Sequence, residues 1–117
     1  MSDIKLISGL GDISEHYDIL ICDVWGVLHD GRRAFEGACE ALLRFRETGG
    51  VVILVSNAPV PGPQVLSLCH RVGVPEGVCD AVVTSGDATR QALIARAPGP
   101  FYRLGPDQGY EHDDALF

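Results

Sequence analysis

Short apolar runs alternate with polar, glycine-containing segments over the first two thirds of the chain. Three runs, at residues 18–22, 51–55 and 81–84, have strand length. The run at 51–55 is continuously apolar, which is typical of a strand buried on both faces of a parallel sheet. We therefore predict three buried strands at these positions.

Helical periodicity occupies the intervals between the predicted strands. Apolar residues within 36–48 recur at helical spacing, and two glycines at 49–50 end that helix. Pro61 and Pro63 suit the first turn of a second helix, which ends before Gly73. The alternation of strands and helices indicates an α/β protein.

Three further elements are predicted with weaker signals. Ser85 or Asp87 can cap a third helix that runs to about residue 96. A fourth strand is predicted at 101–104 and a short helix around 4–10. The order β-α-β-α-β-α-β predicts a doubly wound parallel sheet with helices on both faces, because such connections are nearly always right-handed.

Composition narrows the functional class. The chain has 117 residues, enough for one domain at most, and a formal net charge of −7, which argues against binding to nucleic acid or an anionic membrane. No apolar run approaches the roughly 18 residues of a membrane span, and the N-terminus lacks signal-peptide features, so we expect a cytoplasmic protein. Four cysteines without a Cys-x-x-Cys pair are interpreted as reduced structural thiols: Cys22, Cys39, Cys69 and Cys79.

Polar side chains follow each of the three strands, where the carboxyl ends of a parallel sheet share one edge. Asp23 can hold Mg²⁺ through oxygen or attack phosphorus as a nucleophile. Ser56 can donate its hydroxyl to a phosphate, although a turn or capping role for Ser56 and Asn57 stays open. For Ser85 and Asp87, a helix-capping role is the stronger interpretation.

These residues resemble a known family. Asp-Val-Trp-Gly-Val-Leu-His-Asp-Gly at 23–31, Val-Ser-Asn-Ala-Pro at 55–59 and Thr-Ser-Gly-Asp-Ala-Thr at 84–89 are similar to motifs of the haloacid dehalogenase (HAD) phosphatase superfamily. The resemblance is nearest to subclass IIA, in a branch with an Asp-x-Trp-Gly signature. It implies a HAD-like Rossmannoid core and Mg²⁺-dependent hydrolysis of a small phosphorylated metabolite through an aspartyl-phosphate.

The resemblance also implies roles for individual residues. Asp23 matches the nucleophile, which also ligates Mg²⁺. Trp25 takes the place of the family's second aspartate, whose backbone carbonyl binds Mg²⁺ and whose side chain is the general acid and base. Ser56 matches the phosphate-binding hydroxyl, and Asn57 is its neighbour.

Two departures from the family pattern limit this expectation. The indole of Trp25 cannot transfer protons at neutral pH. His29 or Asp30 could replace the missing carboxylate. Alternatively, His29 is a surface residue and Asp30 is a turn residue. The resemblance also implies a later lysine that steadies the phosphate and later acidic residues for Mg²⁺, and neither is matched. The only lysine, Lys5, lies upstream of all the motifs, and the acidic cluster at 111–114 is interpreted as a solvated tail.

The chain therefore resembles the N-terminal part of a longer enzyme. Residues 1–89 match part of the core and 90–117 the start of an inserted cap. We expect the isolated chain to be inactive or weakly active, with a non-catalytic phosphate- or Mg²⁺-binding or assembly module as the alternative. An incomplete sheet exposes an edge, so a homodimer or a complementary fragment that covers it is also expected.

Overall fold

A computed structural model describes residues 3–102 and 104. Within them, a parallel sheet contains β1 (Ile19–Asp23), β2 (Val51–Ser56) and β3 (Ala81–Thr84), in the order β1-β2-β3. The three predicted strands are confirmed, and β1 and β2 each end one residue later than the apolar pattern predicted. The α/β class is therefore confirmed for a core that is incomplete at this length.

The helices α1 (Glu36–Glu47) and α2 (Gly62–Arg71) connect neighbouring parallel strands, and α3 (Ser85–Arg96) follows β3 without a break. The prediction that Ser85 or Asp87 caps α3 is wrong. Thr84 is the N-cap, and its Oγ1 accepts the Asp87 N–H at 3.0 Å. Because α3 continues past residue 90, the predicted boundary between core and cap lies inside this helix.

The start of the second helix also differs from the prediction. Pro61 is the N-cap of α2 and lies outside the helix, whereas Pro63 is in its first turn. Proline is tolerated at both places because the first N–H groups of a helix have no intrahelical acceptor.

The predicted helix around residues 4–10 is wrong. The structure has two short 3₁₀ helices instead, at Leu10–Asp12 and Ser14–His16. Ile4 and Leu6 are 90% and 92% exposed, so an amphipathic helix here would have no surface to pack on. A helix this short is not stable without such packing.

The predicted fourth strand is not formed in the described part of the segment. Phe101, Tyr102 and Leu104 have no regular secondary structure, and Arg103 lies outside the described residues. The acidic cluster at 111–114 also lies outside them. Nowhere in the described ranges does a helix have the length and apolar character needed to cross a membrane.

One face of the sheet carries the hydrophobic core. Alternate strand residues point to this face, where they meet the buried sides of α1 and α2. The residues concerned are Cys22, Val52 and Leu54 from the strands, Cys39, Leu42 and Phe45 from α1, and Val65 and Cys69 from α2. The four cysteines are free, and burial raises the pKa of each thiol.

The opposite face of the sheet is apolar and exposed. We expected helices on both faces, but α1 and α2 lie together on the core face. The reason is that the strands are added in one direction, β1-β2-β3, and right-handed crossovers then place both helices on the same side. The uncovered residues are 39–71% exposed: Ile19, Ile21, Val51, Val55 and Val83. Parallel sheets are normally covered on both faces, so this face is unusual for a folded domain.

Candidate phosphate site at the carboxyl edge of the sheet

Strand register brings the predicted site residues to one edge of the sheet. Asp23 pairs with Val55, the residue before Ser56, and Ser56 in turn pairs with Thr84. By strand alternation, Asp23 projects from the exposed face and Ser56 from the core face. A group bound by both side chains would therefore lie beyond the strand ends.

Asp23 is exposed, and the backbone of the next residue holds its carboxylate in place. Its Oδ1 accepts the N–H of Val24 at 2.8 Å, and among the described residues no donor reaches Oδ2. The Cys22 thiol donates to the Asp23 carbonyl oxygen at 3.1 Å. One carboxylate oxygen is thus fixed while the other is open to a metal ion or to phosphorus.

Ser56 is nearly buried, at 4% exposure, and is oriented by the loop that follows it. Its Oγ accepts the N–H of Ala58 at 3.2 Å, whereas its hydroxyl proton has no acceptor in the described part of the chain. The hydroxyl is therefore free to donate to an anion. Asn57 is exposed, and its carbonyl oxygen is already bonded to Ser85.

Trp25 lies on the segment that follows β1. Its indole is half exposed, packs edge-on against His29, and covers Gly31 so closely that a Cβ at that glycine would lie 2.5 Å from Cη2. No described donor bonds to the backbone carbonyl of Trp25. That oxygen remains available as a metal ligand.

His29 is not the surface residue that one interpretation of the sequence expected. It is 0% exposed, and its Nδ1 accepts the Gly31 N–H at 3.0 Å, which places the proton on Nε2. Within the described residues Nε2 has no partner. Burial lowers the pKa of His29, and the charge of Asp30 opposes this only in part.

Asp30 is a turn residue, as one interpretation predicted. Its Oδ1 accepts the N–H groups of Arg32 and Arg33, both at 2.9 Å. These bonds, chiefly the one from Arg33, hold the pKa of Asp30 below its usual range. A carboxyl group with a lowered pKa carries no proton at neutral pH, so Asp30 is unsuited to act as a general acid.

Ser85 has a different role from either of those considered for it. Its single hydroxyl proton is shared between the carbonyl oxygens of Asn57 and Ala58, at 2.8 and 2.9 Å. Sequence reasoning missed this contact because donor and acceptors are 27 and 28 residues apart and no local pattern connects them.

The described residues offer few ligands for a cation. No group of three or more His, Cys, Asp or Glu side chains in the described ranges could hold a metal ion. Asp23 Oδ1, which keeps a second lone pair beside its bond from Val24, and the Trp25 carbonyl nevertheless match the oxygen chemistry of Mg²⁺, which usually keeps several waters and takes one or two carboxylates with substrate phosphate. Lys5 lies in the exposed N-terminal segment.

A parallel sheet with a carboxylate and a hydroxyl at neighbouring strand ends makes this an α/β protein with a candidate ligand site at the carboxyl edge. The chain belongs to the haloacid dehalogenase-like hydrolases, whose family model matches residues 20–111.

A solved structure supports the same family and fold. The chain is similar to a haloacid dehalogenase-like family hydrolase from Brucella suis, with 46% sequence identity and a TM-score of 0.74. The match covers 82% of this chain and 36% of that protein, so the chain spans about a third of its length. No significant match is found among curated proteins.

Proposed function

We propose that this chain carries the nucleophile and phosphate-binding parts of a Mg²⁺-dependent phosphatase acting on a small phosphorylated metabolite. The main support is Asp23, whose carboxylate is held at the tip of β1 with one oxygen open, at the same edge of the sheet as the free hydroxyl of Ser56 on the neighbouring strand. Membership of the hydrolase family supports the reaction class. Subclass IIA and its Asp-x-Trp-Gly branch are the proposed placement within it.

The proposed reaction has two steps. Asp23 Oδ2 attacks phosphorus, the ester P–O bond breaks, and the leaving oxygen takes a proton from water. Water then attacks phosphorus, which releases inorganic phosphate and restores the Asp23 carboxylate. Ser56 donates its hydroxyl to a phosphoryl oxygen in both steps.

Two oxygens of this chain would hold the cation: the Asp23 carboxylate and the Trp25 carbonyl. Bound there, Mg²⁺ supplies a positive charge that offsets the repulsion between Asp23 and a dianionic phosphate. Water and the phosphate itself would supply further ligands.

Proton transfer is the weak part of this site. Trp25 has no titratable group, the backbone hydrogen bonds to Asp30 hold its pKa below the usual range, and His29 is fully buried. The leaving group must therefore depart with little help, which favours esters of acidic alcohols or phenols. We expect the 117-residue polypeptide to turn over slowly or not at all.

Two further proposals concern the whole protein. Residues 1–89 are proposed to form part of the core and 90–117 to begin a cap, as the motif resemblance implies. Four free thiols favour a reducing compartment such as the cytoplasm.

A non-catalytic module that binds phosphate or Mg²⁺, or serves in assembly, is the second candidate. It is favoured by Trp25 in place of a carboxylate and by the only lysine, Lys5, which lies upstream of all the motifs in the sequence. Such a module would bind both ligands without forming an aspartyl-phosphate.

Calorimetric titration of the 117-residue chain with MgCl₂, and then with inorganic phosphate, tests the site. We expect saturable binding of both, loss of the Mg²⁺ heat in Asp23→Asn, and loss of the phosphate heat in Ser56→Ala. Asp18→Asn, before the amino end of β1, is the matched control and should bind as the wild type does. If the wild type binds neither ligand, or if both variants bind normally, the proposed site is wrong.

A further inference from the structure

The start of α3 holds the loop between β2 and α2 (residues 57–61, the β2–α2 loop). Besides the two bonds from the Ser85 hydroxyl, the Gly86 N–H donates to the Ala58 carbonyl oxygen at 3.2 Å. Thr84 Oγ1 donates to the Val60 carbonyl oxygen at 2.6 Å. Three loop carbonyls are thus taken up by consecutive residues at the end of β3 and the start of α3.

The backbones of this loop and α3 are also in direct contact. A Cβ added to the buried Gly86 would lie 2.5 Å from the Val60 carbonyl oxygen. Gly62, the residue that directly follows the loop, donates its N–H to Asp87 Oδ2 at 3.0 Å. Pro59 and Pro61 further restrict the backbone, because proline fixes φ and removes an N–H donor.

This arrangement decides which groups of the loop can face an anion. A carbonyl oxygen carries partial negative charge and would repel phosphate, but those of Asn57, Ala58 and Val60 are turned toward α3. A loop held in this way presents fewer repelling oxygens to the strand ends.

A chain of hydrogen bonds connects Ser85 to Ser56. Ser85 holds the carbonyl of Ala58, and the N–H of the same Ala58 holds Ser56 Oγ at 3.2 Å. This second bond occupies a lone pair of Ser56, so its hydroxyl proton can point away from the loop. We infer that Ser85 is a positioning residue that sets the orientation of Ser56 through Ala58. The inference rests on the proposed binding of phosphate by Ser56.

Ser85→Ala and Ser85→Thr test the inference, with Thr89→Ala as the matched control. The Thr89 hydroxyl donates to the Ser85 carbonyl inside α3 at 2.8 Å. Thr89→Ala therefore removes a hydroxyl hydrogen bond of similar length that does not involve the β2–α2 loop. Three quantities are measured on the 117-residue chain: the Kd of inorganic phosphate with Mg²⁺ present, the Kd of Mg²⁺ alone, and amide hydrogen exchange at Ala58.

Loss of the hydroxyl should weaken phosphate binding by about fivefold, the effect of one typical hydrogen bond. In Ser85→Ala, amide exchange at Ala58 should become faster and the Kd of Mg²⁺ should stay unchanged. Ser85→Thr keeps the hydroxyl, so its phosphate Kd and its Ala58 exchange should equal those of the wild type. Thr89→Ala should behave as the wild type does.

Unchanged phosphate binding and unchanged Ala58 exchange in Ser85→Ala would overturn the inference. An equal loss of Mg²⁺ affinity in Ser85→Ala would overturn the inference too, because such a loss would indicate general damage to the fold. If the wild type binds no phosphate, the proposed function fails, whereas Ala58 exchange still decides whether Ser85 orders the loop.

Discussion

The rings of Trp25 and His29 pack edge to face, with centroids 4.8 Å apart and planes inclined by 68°. The indole also covers Gly31, whose φ of +86° and missing side chain both permit the close contact. Trp25 is therefore part of the structure that closes the segment after β1. In the proposed match to the HAD motif, the same residue takes the place of a proton-transferring carboxylate, and here its side chain serves in packing.

Replacing Trp25 with aspartate should restore proton transfer. We expect Trp25→Asp to raise the hydrolysis rate of an alkyl phosphate by up to about 10²-fold, the lower end of the usual gain from general acid–base catalysis. The rate with an aryl phosphate should rise much less, because a phenolate leaves without protonation. Steady-state assays with both esters measure the difference.

Trp25→Phe is the control for this experiment, since it keeps an aromatic ring and adds no titratable group. Equal rates for the aspartate and phenylalanine variants on the alkyl ester would contradict the proposed reason for weak activity.

The buried His29 should make stability depend on pH. Burial lowers its pKa, so the folded state binds this proton less readily than the unfolded state, whose pKa is about 6.5. The contribution of neutral His29 is thus present above about pH 6.5 and is lost as pH falls toward the folded-state pKa. Urea unfolding at pH 5.0 and 7.5 should show lower stability at pH 5.0 and a smaller difference in His29→Asn.

The exposed His70 on α2 supplies a matched control. His70→Asn should keep the wild-type difference between the two pH values. If it reduces that difference as much as His29→Asn does, His29 is not its source.

The sequence predicted the elements in which apolar residues recur with a regular period. The strands and α1 follow apolar patterns that the structure reproduces within one residue. The helix around 4–10 failed because periodicity alone does not supply a surface for Ile4 and Leu6 to pack on.

The site shows the same division. Asp23 and Ser56 could be placed at one edge because parallel strands end together. The burial of His29 depends on how Trp25 folds back, and the role of Ser85 depends on carbonyls 27 and 28 residues away. Neither contact leaves a local pattern, so sequence reasoning had no signal for them.

Asp80 should contribute to stability in a pH-dependent manner. It accepts bonds from Arg46 Nε at 3.0 Å and from the Val52 N–H at 2.8 Å, and chiefly Arg46 holds its pKa below its usual range. A lowered carboxyl pKa stabilises the fold above the unfolded value of about 4, and this contribution is lost as pH falls through the folded value.

We expect Asp80→Asn to lower the thermal midpoint by several degrees at pH 7 and by a smaller amount at pH 3. Calorimetric scans at both pH values measure this, with the exposed Glu47→Gln as the control. An equal loss at pH 3 and pH 7 would show that the charge of Asp80 is not what matters.

The uncovered face of the sheet should make the purified 117-residue polypeptide self-associate. Ile21 is 71% exposed and pairs with Ile53, and Val83 is 48% exposed and pairs with Val55 on the same face. Exposed apolar patches of this kind drive association in water. Light scattering should therefore give a mass above that of the monomer, and Ile21→Lys should bring it close to the monomer.

Ile4→Lys makes the same chemical change at a residue that is 90% exposed and lies outside the sheet. It should leave the association unchanged. A wild-type chain that stays monomeric at high concentration would contradict the expectation that this face associates.

The central claim, that Asp23 is a phosphate-accepting nucleophile, is tested most directly by mass spectrometry of the chain after incubation with an aryl phosphate and Mg²⁺, quenched in acid. A covalent intermediate needs only the first step, so it can be detected even where turnover is slow. We predict one added phosphoryl group, mapped to Asp23 in the wild type and in Asp18→Asn, and absent from Asp23→Asn. Its absence from the wild type, or an equal amount on Asp23→Asn, would contradict the claim.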